Sequence, residues 1–489
     1  LDPINLMNPG KIIDPPKMDE TSLFRFKPGY RTIALTPVFD WSAWNVQNDP
    51  ATERITPPGT GGDASGGFAK AVEMCNNNGH CRKFDAGTMC PSYRVTRDEQ
   101  HLTRGRANTL RLALAGQLGE DPFSGDAVSD AMDLCVGCKG CKRDCPTGVD
   151  MAKMKLEFLA QRQLRRGSSL RDRLIGHLPD YARAASRVPW LLNLRNRVPA
   201  LARLSERWLG LSARRSLPRW RRDTFARIAP ALRLASRDET LLAHKPVVLF
   251  VDTFNGAFES ENAKAAVGVL QAAGYAVHVP GLVGRALCCG RTHLAAGMAD
   301  LAKAKARQLI DALLPFAQRG IAIVGLEPSC LLTLRDEMLA MGLGEDATTV
   351  GGAALLFEEF IALEARAGRF RPALRPATQA MLVHGHCHQK AFGAMQPVLD
   401  VLRLIPGANP QLIESSCCGM AGSFGYEARH HEVSMQMAEL SLLPAVRAAP
   451  DALVIADGTS CRHQIANGCG RDALHVARVL ADHLASPAS

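Results

Sequence analysis

The stretch Cys135-Val-Gly-Cys138-Lys-Gly-Cys141-Lys-Arg-Asp-Cys145-Pro146 decides how the chain is read. It places four soft ligands on one short run and closes with proline. Three cysteines at this spacing wrap one face of a cubane [4Fe–4S] cluster, and the fourth commonly ligates a second cluster. Zinc sites favour two separated Cys-x2-Cys pairs, so the run points to iron rather than to a zinc knuckle. A partner run lies upstream as Cys75-x5-Cys81-x8-Cys90-Pro91. If the cysteine before proline crosses over in each run, Cys90 completes the set Cys135, Cys138 and Cys141, and Cys145 joins Cys75 and Cys81. That makes seven thiols where two full clusters need eight, with His80 as a candidate for the gap. The expectation is one [4Fe–4S] cluster, with room for a second.

Outward from this run, the 489 residues suffice for roughly three domains of about 150 residues. Hydrophobic residues make up 46% and charged residues 22%, which excludes wholesale disorder. The apolar stretch Ala265–Gly284 is broken by Gly274, His278 and Pro280, so it reads as helix, turn and short strand rather than a membrane span. Residues 1–30 lack the apolar core of a signal peptide. The chain starts at Leu1 and is expected to be processed or a fragment, working in the cytoplasm or on the inner face of the membrane. Fifteen cysteines in such a chain point to metal or redox chemistry, not to disulfides.

The expected fold is multidomain: an α-helical ferredoxin-type domain followed by two α/β, Rossmann-like repeats. Residues 1–70 read as a tail plus linker and 71–160 as the cysteine-rich helical domain. Residues 161–243 read as an Arg-rich helical linker, 244–370 as the first repeat and 371–489 as the second. The repeat is visible directly. Ala286-Leu-Cys-Cys-Gly290 matches Ser415-Ser-Cys-Cys-Gly419, and Ile323-Val-Gly-Leu-Glu-Pro-Ser-Cys330 matches Val454-Ile-Ala-Asp-Gly-Thr-Ser-Cys461. Strand–helix alternation implies parallel sheets, with ligands gathered at the carboxyl ends of strands. In the second repeat Cys387, Cys417, Cys418 and Cys461 should therefore converge on a cluster or metal. The first repeat has Cys288, Cys289 and Cys330 but Thr253 in place of the leading cysteine. Each Cys-Cys-Gly is expected to open a helix. Strand alternation would put His384, His386 and His388 on one face and Cys387 on the other, a geometry that lapses beyond the strand end.

The +10 charge is uneven. Gln161–Arg222 holds 16 Arg and three acids, interleaved with Trp190, Trp208 and Trp220. Such a segment serves as a linker packed through its arginine stems, as a membrane-surface helix or as a nucleic-acid arm. The balance favours the first two.

On these residues the chain resembles the C-terminal half of the bacterial FAD-linked D-2-hydroxyacid dehydrogenases, of the D-2-hydroxyglutarate and D-lactate type. Cys81-Arg-Lys, Met89-Cys-Pro-Ser-Tyr93 and Thr103-Arg-Gly-Arg-Ala-Asn108 are similar to that group's iron–sulfur region. The Cys-Cys-Gly repeats are similar to those of the glycolate oxidase iron–sulfur subunit and of heterodisulfide reductase. The resemblance implies an oxidoreductase whose FAD and substrate site sit on a partner domain, fused or separate. Electrons would then pass through the clusters to a quinone or another acceptor. It also implies that Leu6-Met-Asn8-Pro-Gly-Lys11 is the tail of the FAD-linked domain, with Asn8 and Lys11 as cofactor-side residues. Thr333 and Gln464 stand where full repeats carry a further cysteine, which argues against a non-cubane cluster. A thiol/disulfide oxidoreductase and a zinc-binding interaction module remain as alternatives.

Overall fold

The computed structural model describes residues 31–49, 54–83, 87–282, 284 and 286–485, with positions 6, 10, 14–20 and 22 before them. Asn8 and Lys11 lie outside the described residues.

Two parallel sheets form the α/β half. The first has strand order β4-β3-β5-β6, from β3 (Pro246–Phe250), β4 (Ala276–His278), β5 (Ile323–Gly325) and β6 (Ala354–Leu356). The second has order β8-β7-β9, from β7 (Met381–Val383), β8 (Pro410–Leu412) and β9 (Leu453–Ile455). The small hairpin of β1 (Asn48–Asp49) and β2 (Arg54–Ile55) precedes them. In β3 the residues Val247, Val248, Leu249 and Phe250 are all buried, as a strand covered on both faces requires. All the pairings in both sheets are parallel, as the strand–helix alternation implies. In β6, Ala354-Leu-Leu356 runs straight into the helix Phe357–Arg366 without a turn signal.

The two repeats meet through their strand ends. Thr459 N donates to Glu327 Oε2 at 2.8 Å, His475 Nε2 lies 3.0 Å from the Leu326 carbonyl, and Arg462 Nε donates to Glu259 Oε1 at 2.9 Å. Behind them the helices Ser260–Ala272 and Val476–His483 pack together in one shared core. The polar contacts join the carboxyl end of β5 to the segment that follows β9.

The cysteine-rich part is helical: Phe68–Glu73, Pro91–Thr96, Thr103–Leu114, Asp126–Asp133, Gly140–Asp144 and Met151–Arg166. Its core is continuous with that of the first repeat. Two features fasten it. The loop residue Lys139, only 2% exposed, donates to Asp336 at 2.6 Å and to Glu337 at 2.7 Å, and Arg291 also pairs with Glu337. The fully buried Glu157 accepts from Val38 N (2.9 Å), Phe39 N (3.0 Å), Trp41 Nε1 (3.1 Å) and Gln161 Nε2 (2.8 Å). Part of the stretch read as tail and linker is therefore packed: Leu35, Phe39 and Trp41 are core residues.

The Arg-rich segment is also docked. Arg215 is buried and donates to Gln464 Oε1 (2.6 Å) and Ser434 Oγ (3.0 Å). Arg171 pairs with Glu427 at 2.9 Å, and Arg183 donates to the Gly281 and Gly284 carbonyls at 2.5 and 2.8 Å. Trp220 packs on Phe258, with ring centres 4.7 Å apart. Trp190, Leu204 and Trp208 stay exposed. No helix among the described residues is long and apolar enough to cross a membrane.

Replacing Glu157 by Leu strands several buried donors at once. Leaving a buried donor unpaired costs about 1–3 kcal/mol. The expected loss of roughly 3 kcal/mol should lower the denaturation midpoint and expose residues 35–41 to limited proteolysis.

Candidate metal centres

The first centre is a small pocket lined by Cys90, Cys135, Cys138 and Cys141, with Thr103 and Arg106 on its wall. The backbone is shaped to bring these four sulfurs together. Cys90 (φ 50°) and Lys139 (φ 60°) adopt left-handed conformations that turn the chain sharply before Pro91 and before Gly140. Gly140 lies against the partner run so closely that a Cβ there would stand 2.8 Å from the Thr88 carbonyl carbon.

The donor set fits a cubane cluster. Burial pushes the Cys138 and Cys141 thiols well above their ordinary value. Cys90, raised likewise by burial, Cys138 and Cys141 are therefore neutral thiols unless a cationic core holds them as thiolates. Thr103 N donates to Cys90 Sγ at 3.1 Å, and Thr103 Oγ1 stands 3.1 Å from the same sulfur. The buried Arg106 guanidinium is held by the Ala131 carbonyl and Ser92 Oγ, both at 2.9 Å. Such contacts to a ligand sulfur favour the more negative, reduced state of a cluster.

The remaining cysteines of the two runs form a less complete set. Cys75 and Cys81 are buried and close enough to interact electrostatically, and burial pushes the Cys81 thiol up to about 11. Cys145 is half-buried, its sulfur 3.3 Å from Thr147 Oγ1. His80 sits on the 3-10 turn His80–Arg82 that carries Cys81.

The second centre lies in the second repeat, where Cys387, Cys417, Cys418 and Cys461 come together in one buried cluster. A hydrogen bond from Cys417 draws the Cys387 thiol down to about 6 against burial. Donations from Cys417 and Cys461 draw Cys418 well below its ordinary value. Lys390 supplies a buried cation beside all four, its ammonium donating to the Ser415 and Ser416 carbonyls at 2.5 and 3.1 Å. His384 adds a fifth donor: a nitrogen of its ring and the sulfurs of Cys418 and Cys461 lie within 4.8 Å of one another. His384 Nε2 has no hydrogen-bond partner.

The first repeat reproduces the turn but not the charge. Gly290 N donates to Cys288 Sγ at 3.3 Å and Gly419 N to Cys417 Sγ at 3.4 Å. Both glycines are left-handed (φ 83° and 84°), and a Cβ would stand 2.9 Å from the Ala302 oxygen or 2.3 Å from the Ser434 oxygen. Here Thr253 contacts Cys288, and the neighbours Asp252 and Glu327 are acids. Hydrogen bonding to Cys289 and burial push the Cys288 thiol well above its ordinary value. Burial also holds Asp252, up to about 6, and Glu327 above the usual carboxylate range. Three neutral thiols beside acids are poorly suited to a cluster that needs thiolates.

One expectation, that each Cys-Cys-Gly opens a helix, needs correction. Gly290 opens the helix Arg291–Ala295, but Gly419 is followed by the 3-10 turn Phe424–Tyr426 before the helix His431–Glu439. The three histidines do not share a face, because β7 ends at Val383 and Cys387 already begins a helix. His384 turns to the cysteines, His386 Nδ1 caps that helix by accepting from His388 N at 3.1 Å, and His388 Nε2 lies 3.1 Å from the Gly137 carbonyl. Lys390 and Arg215 were invisible as site residues, since nothing in their local sequence separates them from surface cations.

The two centres adjoin. Cys138 belongs to the same buried cluster as Cys387, Cys417, Cys418 and Cys461, and Cys138 and Cys387 interact electrostatically. A Thr103→Val variant should lower the reduction potential of a cluster bound by Cys90. The expected shift is roughly 40 mV, the one-electron equivalent of a hydrogen bond worth about 1 kcal/mol, read by redox titration.

Two domain families and several curated proteins resemble this chain. Residues 71–149 match the 4Fe-4S dicluster domain and residues 252–335 the cysteine-rich (CCG) domain. The chain is 26% identical to a D-2-hydroxyglutarate dehydrogenase of Escherichia coli (strain K12), over 83% of this chain and 43% of the relative. It is 26% identical to one of Pantoea ananatis, over 98% and 48%. It is 24% identical to a probable glycolate oxidase iron-sulfur subunit of Bacillus subtilis, over 81% and 89%. The chain thus spans about half the length of the D-2-hydroxyglutarate dehydrogenases it matches. It carries an iron–sulfur dicluster domain and a cysteine-rich domain, and is similar to iron–sulfur-containing D-2-hydroxyacid dehydrogenases.

Proposed function

We propose that this chain is the electron-transfer portion of an FAD-linked D-2-hydroxyacid dehydrogenase, of the D-2-hydroxyglutarate or D-lactate class. Substrate oxidation would occur on a flavin-bearing domain, fused to this chain or separate from it. The observation that carries this reading is the contact of the two sulfur centres through Cys138 and Cys387. Cys90, Cys135, Cys138 and Cys141 would hold one [4Fe–4S] cluster, and Cys75, Cys81 and Cys145, with His80, a second. A [4Fe–4S] cluster supplies one-electron exchange with little movement of its ligands. The protein's part is to exclude water from the four sulfurs, to hold them by left-handed turns, and to aim Thr103 at the Cys90 sulfur. Cys387, Cys417, Cys418 and Cys461 would hold a further cluster or metal, with Lys390 offsetting the thiolate charge.

A quinone fits as acceptor because the Arg-rich segment presents a surface suited to a membrane. Trp190 and Leu191 are exposed on the helix Pro189–Leu192, and Leu204 and Trp208 on the helix Pro199–Leu209, which also carries Arg203 and Arg207. Tryptophan and arginine on one surface favour the interface of an anionic bilayer.

Two measurements test the reading. In the complete enzyme, Cys138→Ala should leave flavin reduction by a D-2-hydroxyacid intact and abolish transfer to an external acceptor; undiminished transfer overturns the assignment. The double variant Trp190→Ala, Trp208→Ala should sediment with anionic vesicles at least several-fold less than the unaltered protein. Equal sedimentation removes the membrane surface from the proposal.

A further inference from the structure

A third polar cluster lies where the Arg-rich segment meets the first repeat. His177 follows the helix Leu170–Gly176, Asp180 lies on the helix Leu178–Ala185, and His293 lies on the helix Arg291–Ala295. One ligand atom from each falls within 4.8 Å of the others. His177 Nδ1 stands 2.9 Å from Asp180 Oδ2, and His293 Nε2 stands 3.7 Å from the same oxygen. The two rings meet edge-on, with centres 5.3 Å apart.

His293 is the unexplained member. It is fully buried, yet neither ring nitrogen has a partner at normal hydrogen-bond distance: Nδ1 has none, and Nε2 has only the longer contact with Asp180. A buried polar side chain is expected to be satisfied, and an orphan calls for a water or an ion. Asp180 is arranged to serve one: Lys305 pairs with its Oδ1, leaving Oδ2 facing both rings. The backbone around the cluster is tightly held. Thr292 Oγ1 donates to the Gly176 carbonyl at 2.9 Å, and a Cβ at Gly176 would stand 3.0 Å from Met298 Sδ.

From this geometry we propose that His177, Asp180 and His293 form a zinc site that clasps the Arg-rich segment onto the first repeat. A tetrahedral zinc ion with nitrogen and oxygen ligands at about 2.0–2.1 Å holds them roughly 3.3 Å apart, and the two observed separations bracket that spacing. Two imidazoles and one carboxylate are a donor set that zinc accepts, with a fourth position for water. Lys305 stays on the far carboxylate oxygen and orients it. The site shares no ligand with either sulfur centre, so the electron-transfer reading can fail without touching it.

The test adds one equivalent of zinc chloride to the anaerobically purified, cluster-loaded protein and reads the zinc K-edge absorption. His177→Ala is the decisive variant, because that side chain is 43% exposed and its removal leaves the core intact. The unaltered protein should bind one zinc with nitrogen and oxygen neighbours only, and His177→Ala and Asp180→Asn should lose it. Zinc in the cysteine pocket would instead show sulfur neighbours at about 2.3 Å. Zinc on sulfur alone, no retained zinc, or an unchanged nitrogen and oxygen signal in His177→Ala overturns the proposal.

Discussion

A thiol removed from water resists losing its proton, and this constraint shapes the sulfur centres. Cys138, Cys141 and Cys288 are all held above the ordinary thiol value, with burial among the causes. Only a positive partner reverses the trend: a metal core, a cationic side chain or an S–H donor. The two repeats differ in what they offer. The second sets Lys390 beside four sulfurs, with Cys417 and Cys461 donating to their neighbours. The first sets Asp252 and Glu327 beside Cys330 and offers its sulfurs no cation like Lys390. One backbone design, with the same glycine turn and the same N–H···S contact, therefore yields a pocket suited to thiolates and one suited to neutral thiols.

Proximity between the centres depends on a second use of charge. Lys139 lies between Cys138 and Cys141, so its ion pairs with Asp336 and Glu337 fasten the cysteine loop directly to the first repeat. Arg291, two residues after Cys289, shares Glu337 from the other side. Breaking a buried pair leaves an unpaired charge and costs several kcal/mol, whereas an exposed pair contributes little. This buried network makes the docking specific. His388, held 3.1 Å from the Gly137 carbonyl, extends the contact to the second repeat. The cysteine loop is thus gripped by both repeats at once.

The Arg-rich segment divides into two kinds of surface. Arg171, Arg183 and Arg215 are pins that satisfy acids, carbonyls and amides on the repeats. Trp190, Leu204 and Trp208 remain outside. A single charge total described neither kind, because buried arginine heads and solvated ones count equally in a composition.

The linear chain by itself marked the cysteines as candidate metal ligands and indicated what type of elements would carry them. Cysteine spacing, the proline after Cys90 and Cys145, and the Cys-Cys-Gly repeat are all local signals, fixed by ligand geometry within a few residues. Strand–helix alternation made the parallel sheets legible, since buried runs such as Pro246–Phe250 need no distant partner to be recognised. Only the tertiary structure decided which cysteines share a cavity and which cations stand beside them. It also decided where His384, His386 and His388 point, because β7 ends at Val383 and the strand alternation stops there. Lys390 meets Ser415, Arg215 meets Gln464, and His293 meets Asp180 across separations of 25, 249 and 113 residues. No local pattern encodes such meetings. They follow from helices packing against sheets, and the buried charges then take whatever partners that packing brings within reach.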